Sequence, residues 1–203
     1  MEFVDLAALT VHGVKNRLAI LAARAEARGD RETLRDALEA AATLSRLLAC
    51  YKAEKGQLTA DIEACTPADL VAELVAEVRQ QTALTISAEL ESAPELWFYD
   101  EHLIRMVIRD AIYNALRYAR REVIIAARTR AGWLDLGVRD DGPGYPPQIL
   151  ARAAGSWPLS REGTGLGLYL ADRVAALHCN GERHGRVELA NSGGAAFHLL
   201  LPE

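Results

Sequence analysis

The chain of 203 residues is 50% hydrophobic and 25% charged, with a net charge of −5 at pH 7. Such a composition excludes a disordered chain and can fill one substantial core plus a small helical module. The acidic balance and the absence of any Lys or Arg run argue against a nucleic-acid binder.

At the N-terminal end, Val4, Val11, Val14, Leu18, Leu21 and Ala25 form an apolar stripe at helical spacing. Gly29 and Asp30 break it, and Leu34, Leu38, Ala41, Leu44, Leu48 and Tyr51 form a second stripe. Two short amphipathic helices bury little area alone, so two such hairpins are expected to pair as a four-helix bundle in a homodimer. His12, on the first helix, is expected to sit on the outer face of that bundle. A hinge near 54–59 divides the chain into a helical hairpin, 1–57, and a second domain, 58–203. Thr66 and Pro67 cap a helix running to about Gln81.

In the second domain, alternation and β-branching predict strands at 58–63, 84–90, 96–99, 122–128, 133–139, 186–190 and 197–201. Interleaved helices are predicted at 67–81, 101–119 and 165–178. The fold class is therefore α+β: a helical hairpin followed by an α/β sandwich, helices on one face of a mixed sheet and the other face partly wet.

Three segments of this domain carry chemistry. Asp100 reads as the N-cap of DEHLIRMVIRDAIYNALRYA, in which Leu103, Val107, Ile108, Ala111 and Ala115 form the apolar stripe. Asp110, Asn114, Arg117 and Tyr118 share one face; a carboxylate and an amide oxygen are hard ligands suited to Mg²⁺, and Arg117 can neutralise phosphate. Next, VRDDGPG ends a half-buried strand, so the Asp140 carboxylate can accept from an adenine amino group, while Gly142 and Gly144 make a tight turn against which a flat ring can lie. Finally, GTGLGL (Gly163, Thr164, Gly165, Leu166, Gly167) runs into an amphipathic helix whose N-terminal amides suit a polyphosphate. Residues 145–162, rich in Pro and Gly, are expected to be a lid, with Trp157 a candidate to close over the ligand.

Taken in order, these segments resemble the N box and the two glycine boxes of the histidine kinases, in the superfamily that also holds gyrase, the Hsp90 chaperones and MutL. The likeness covers Asp100 to Pro202, with GGAAFHLLLP matching the terminal strand. Leu9 to Ala27 resembles the H box of sensor kinases, a His followed by a basic residue at plus three and Asn or Thr at plus four, here His12, Lys15 and Asn16. The resemblance implies an ATP- and Mg²⁺-dependent autokinase. His12 would take the γ-phosphate and pass it to an Asp of a response regulator receiver domain, and Asn16 would orient water for a phosphatase activity. Three positions depart from the commonest pattern: Gly13 where an acid is usual, Arg17 where Pro is usual, and Asp110 where Asn is usual. Asp110 keeps open a gyrase-like ATPase in which it is the general base, and Gly13 keeps open a degenerate phosphotransfer or scaffold protein. Gly13 also costs the helix about 1 kcal/mol relative to Ala.

Only eleven residues precede His12, so either the chain is cut from something longer or its signal arrives through a separate sensor protein. No run of eighteen apolar residues and no basic leader is present, so neither membrane insertion nor secretion is expected. Cys50, Cys65 and Cys179 lack a C-x-x-C pair and read as isolated buried thiols of a reducing cytoplasm. His102, His178, His184 and His198 have no metal-ligand spacing.

Overall fold

The computed structural model describes residues 3–151 and 165–203; the side chains of residues 3–10, 12 and 165 lie outside the description. The contacts divide the chain into two units, Met1–Leu58 and Thr59–Glu203.

The first unit is a hairpin of α1 (Phe3–Arg28) and α2 (Arg31–Glu54). Gly29, at φ +68°, ends α1, with the Asp30 amide reaching back to the Ala25 carbonyl at 2.9 Å. The Asp30 carboxylate then caps α2 by accepting from the Thr33 amide at 3.1 Å. Within the hairpin the buried side chains are small: Ala22, Ala25, Ala37, Ala49 and Cys50. Larger members of the predicted stripes, Val14, Leu21 and Leu38, remain exposed, as do Ile20 and Leu47.

The second unit is built on a five-stranded mixed sheet of order β2-β4-β5-β9-β8. Its strands are β2 (Thr85–Glu89), β4 (Glu122–Thr129), β5 (Trp133–Asp140), β8 (Arg186–Asn191) and β9 (Ala195–Pro202). Only β2 and β4 run parallel. Helices α3 (Pro67–Arg79), α4 (Glu101–Tyr118) and α6 (Gly165–Leu177) pack on the sheet. Period-two alternation explains how: Val123, Ile125, Leu134, Leu136, Val138, Leu199 and Leu201 share one face and are almost fully buried beneath them. Each such Leu or Ile contributes roughly 1.5–3 kcal/mol of burial. The opposite face, expected to be partly wet, is mostly polar but also holds the buried Leu200 and Ala126. Asp135 is fully buried there, accepting from Arg128 at 2.8 and 3.0 Å and paired with His198 Nδ1 at 2.9 Å. Burial pushes its carboxyl up, but the contacts to His198 and Arg128 outweigh burial and hold it below the usual range.

Several expected boundaries shift. The strand expected at 58–63 instead forms as β1 (Glu63–Cys65), where β3 (Trp97–Tyr99) supplies a partner. Upstream, the Gln57 and Leu58 amides are drawn back to the Lys52 carbonyl at the end of α2. Thr66 makes no side-chain cap, so Pro67 alone starts α3. A short turn of helix, α5 (Pro147–Leu150), and a two-stranded ribbon, β6 (Cys179–Asn180) with β7 (Arg183–His184), are not legible as periodic segments. Cys179, expected to be buried, is exposed on that ribbon, whereas Cys50 and Cys65 are buried as expected.

One buried histidine ties α6 to α4. His178 Nδ1–H donates to the Val174 carbonyl at 2.8 Å, leaving Nε2 to accept from the Asp100 amide at 3.0 Å. Burial, partly opposed by the Val174 contact and the Asp100 charge, holds its pKa below the usual ~6.5. The folded chain therefore binds fewer protons here than the unfolded chain, and stability present above about pH 6.5 is lost as pH falls toward the folded pKa. We expect chemical denaturation midpoints to drop between pH 7.5 and 5.5, and His178→Gln to lose part of that pH dependence.

Candidate functional site

A cavity of about 580 Å³ opens between α4, the end of β5 and the start of α6, wholly within the second unit. Its size suits a small-molecule ligand. The floor is apolar, with Val107, Ala111, Ala115, Val138 and Phe197, and polar groups converge at its edges: Asp110 and Asn114 from α4, Asp140 from β5.

Asp140 is placed by alternation. It follows Leu134, Leu136 and Val138 on the helix-covered face, but stands one step beyond the covered region. One carboxylate oxygen, Oδ1, accepts from the Gly142 amide at 2.7 Å and the Ala195 amide at 3.3 Å, which fixes the group at the cavity wall.

The glycine turn is set by contact. A Cβ on Gly142 would lie 2.5 Å from the Tyr118 carbonyl oxygen, so the end of α4 rests directly on this turn. Gly144, at φ +83°, abuts Asn191, whose side chain clips Tyr145 by accepting from its amide at 2.7 Å and donating to its carbonyl at 3.0 Å. The Tyr145 ring lines the cavity; burial and the Asp140 charge push its phenol well above its ordinary range, so it is an uncharged hydroxyl.

On the opposite wall, Gly167 in the first turn of α6 packs against Asp110. A Cβ there would meet Asp110 Oδ2, bringing the carboxylate beside the helix's N-terminal backbone. Asn114 sits one turn further along α4 and also lines the cavity. An amide oxygen beside a carboxylate, with room for phosphate oxygens and water, matches what Mg²⁺ accepts. Among the described residues no cluster of three or more His, Cys, Asp or Glu could hold a metal by protein ligands alone.

The predicted residues thus separate. Asp110, Asn114, Tyr118, Asp140, Gly144 and Gly167 line one cavity. Gly142 supports it from behind, while Arg117 and Leu166 are exposed and outside its lining. Gly163 and Thr164 lie outside the described residues, as do Trp157 and most of the expected lid; Gly165 is described only as the first residue of α6. His12, Lys15 and Asn16 share a face of α1, with Asn16 exposed and Lys15 half-buried; the His12 side chain lies outside the description. Nothing lies within 4 Å of the place a Cβ on Gly13 would take, so packing within the described hairpin does not require glycine there.

Sequence reasoning missed Asn191, Tyr145 and Gly194, whose Cβ would collide with the Asp140 carbonyl oxygen. The NSGG run signals a turn, but not that this turn clamps another one 46 residues earlier. The two glycine contacts differ in what must yield: backbone at Gly142, a rotatable carboxylate at Gly167. Gly142→Ala is expected to cost about 1–3 kcal/mol of stability, and Gly167→Ala less, as measured by urea unfolding.

The chain's C-terminal half, residues 99–203, matches the family model "Histidine kinase-, DNA gyrase B-, and HSP90-like ATPase". A probable sensor histidine kinase HK of Mycobacterium tuberculosis (strain CDC 1551 / Oshkosh) is 32% identical over 178 residues, covering 83% of this chain and 46% of that protein. The sensor histidine kinase component HK1 of M. tuberculosis (strain ATCC 25618 / H37Rv) is 33% identical over 106 residues, covering 51% of this chain and 62% of that one. The chain therefore spans about half the length of the curated relatives it matches. Among solved structures, the Acinetobacter baumannii histidine kinase AdeS superposes with a TM-score of 0.63 at 19% identity, covering 94% of this chain and 97% of that chain. Full-length ShkA in complex with AMPPNP does so with a TM-score of 0.65 at 17% identity, covering 97% of this chain and 44% of that chain. These two likenesses concern the fold alone.

Proposed function

Since the chain belongs to the histidine kinase-, DNA gyrase B- and HSP90-like ATPase family, and within it to the sensor histidine kinases, a family of protein kinases, we propose that it is an ATP-dependent autokinase acting on His12. The observation that carries this reading is the cavity itself: a fixed carboxylate, Asp140, on one wall, and Asp110 with Asn114 on the other, beside the N-terminal turn of α6. Asp140 would recognise the adenine amino group, and the apolar floor would take the flat ring. Asn114 and Asp110 would hold Mg²⁺, which when bound would neutralise phosphate charge.

His12 would act as a neutral imidazole at cellular pH. A ring nitrogen attacks the γ-phosphorus, the bond to the bridging oxygen breaks, and ADP leaves. Such a transfer makes little covalent demand on the protein, so positioning and charge neutralisation supply most of the rate. Lys15, one turn from His12, would offset the charge of the phosphorylated ring. The phosphoryl group would then pass to a receiver-domain Asp of a response regulator, and Asn16 would orient water against that phospho-Asp in an opposing phosphatase role, releasing inorganic phosphate. Asp110 supports a second reading, ATP hydrolysis with that carboxylate as general base, because it lines the cavity.

Incubation with γ-labelled ATP and Mg²⁺ distinguishes these. We expect acid-labile label on the wild-type chain, none on His12→Ala, and none after metal removal with EDTA. Labelled His12→Ala would overturn the assignment of the nucleophile, and steady phosphate release without labelled protein would support the ATPase instead.

The hairpin is proposed to be the dimerisation unit. Leu21 and Leu38, on the two apolar stripes, and Ile20 and Leu47 beside them are each 45–54% exposed, and pairing two hairpins would cover apolar surface of this kind. Sedimentation should give a dimer for the wild-type chain and a monomer for Leu21→Glu with Leu38→Glu.

A further inference from the structure

Two adjacent aspartates mark the end of β5, Asp140 as its last residue and Asp141 just after it, and only the first belongs to the cavity lining. Asp141 turns to a different partner. Its Oδ1 accepts from three consecutive backbone amides, Arg120 at 2.8 Å, Arg121 at 2.9 Å and Glu122 at 3.2 Å. These amides belong to the link that carries the chain from the end of α4 into β4. That link leaves the helix at Ala119, whose ψ of 146° is already extended, so the helix's own hydrogen bonds do not organise it.

The result is a closed loop of contacts. The Tyr118 carbonyl rests on Gly142, the amides just after it bind Asp141, and Asp140 between them binds the Gly142 and Ala195 amides. The end of α4 is thereby joined to the turn bearing Asp140. We propose that Asp141 is a positioning residue for nucleotide binding: its carboxylate sets the C-terminal half of α4, and hence Asn114 and Tyr118, in register with Asp140 across the cavity. It touches no ligand itself.

The three amides, with the Arg121 guanidinium at 3.5 Å, hold the Asp141 carboxyl at a pKa of about 2. The latch is therefore anionic throughout the range in which the protein would work, and is not a pH switch. Removing the acceptor leaves the Arg120 and Arg121 amides open to water, because both residues are exposed, and the Glu122 amide in a half-buried position. The loss should be one of registration more than of folding.

This inference rests on the proposed nucleotide site, so the test keeps the two apart. Wild type, Asp140→Asn, Asp141→Asn and Asp141→Ala are compared for AMPPNP affinity by calorimetry, for the ATP KM and kcat of autophosphorylation, and for hydrogen exchange at residues 120–122. We expect Asp140→Asn to lose most binding. Asp141→Ala should raise KM about ten-fold with kcat changed less than about two-fold and exchange at 120–122 accelerated, since a small misplacement of a positioned group is enough to lose one to two decades. Asp141→Asn, which keeps one acceptor oxygen, should recover at least half of that loss on a logarithmic scale. If wild type binds no AMPPNP, the nucleotide-site reading fails first. If wild type binds and Asp140→Asn does not, while both Asp141 variants keep the wild-type KM, or lose kcat and KM together with a general loss of exchange protection, the positioning role is overturned.

Discussion

Helix α4 is gripped at each end by a carboxylate from outside it, and the geometry of the cavity depends on that double anchorage. At its start, Asp100 Oδ1 accepts from the Leu103 amide at 2.8 Å and Oδ2 from the Asp61 amide at 2.9 Å, while its own amide donates to His178. At its end, Asp141 takes the three amides that follow the helix. Between the anchors, Leu103, Ile104, Val107, Ile108, Ile112 and Ala115 are buried, so the helix can neither slide nor roll without exposing them. Asp110 and Asn114, which line the cavity beside Val107 and Ala115, inherit that fixed register.

The facing wall is held by different means. Strand β5 pairs on both sides, with β4 and β9, which leaves Asp140 at the end of a central strand with little freedom. The turn after it is shaped by close approach, Gly142 to Tyr118 and Gly194 to Asp140, and by the Asn191 clip on Tyr145. Such contacts leave no room for a Cβ, which is why glycines cluster here without every one of them touching the cavity. A rigid frame around a binding cavity limits the ordering cost of taking up a ligand.

The hairpin follows the opposite principle. Small buried side chains, mostly alanine, let α1 and α2 approach each other while Val14, Ile20, Leu21, Leu38 and Leu47 remain exposed. A unit of this kind is stabilised weakly by its own core and gains by association, which is consistent with the dimer proposed for it.

The sequence by itself determined the types of the longer elements and the two-part layout, because each is carried by local signals: periodicities of 3.6 and 2, the cap at Asp100, Pro67 at the start of α3, and glycine turns. It also placed Asp110 and Asn114 on one face of α4 and Asp140 at a strand end, since both follow from spacing alone. Only the tertiary structure decided that Asp141 binds the amides after α4, that Arg117 does not line the cavity, and that Asn191 holds a turn 46 residues away. It alone showed that Asp135 is buried opposite His198 on the face of the sheet away from the helices. The physical reason is range: spacing along an element fixes the direction of a side chain, but the partner it meets is chosen by a strand register or a turn contact that no local pattern encodes.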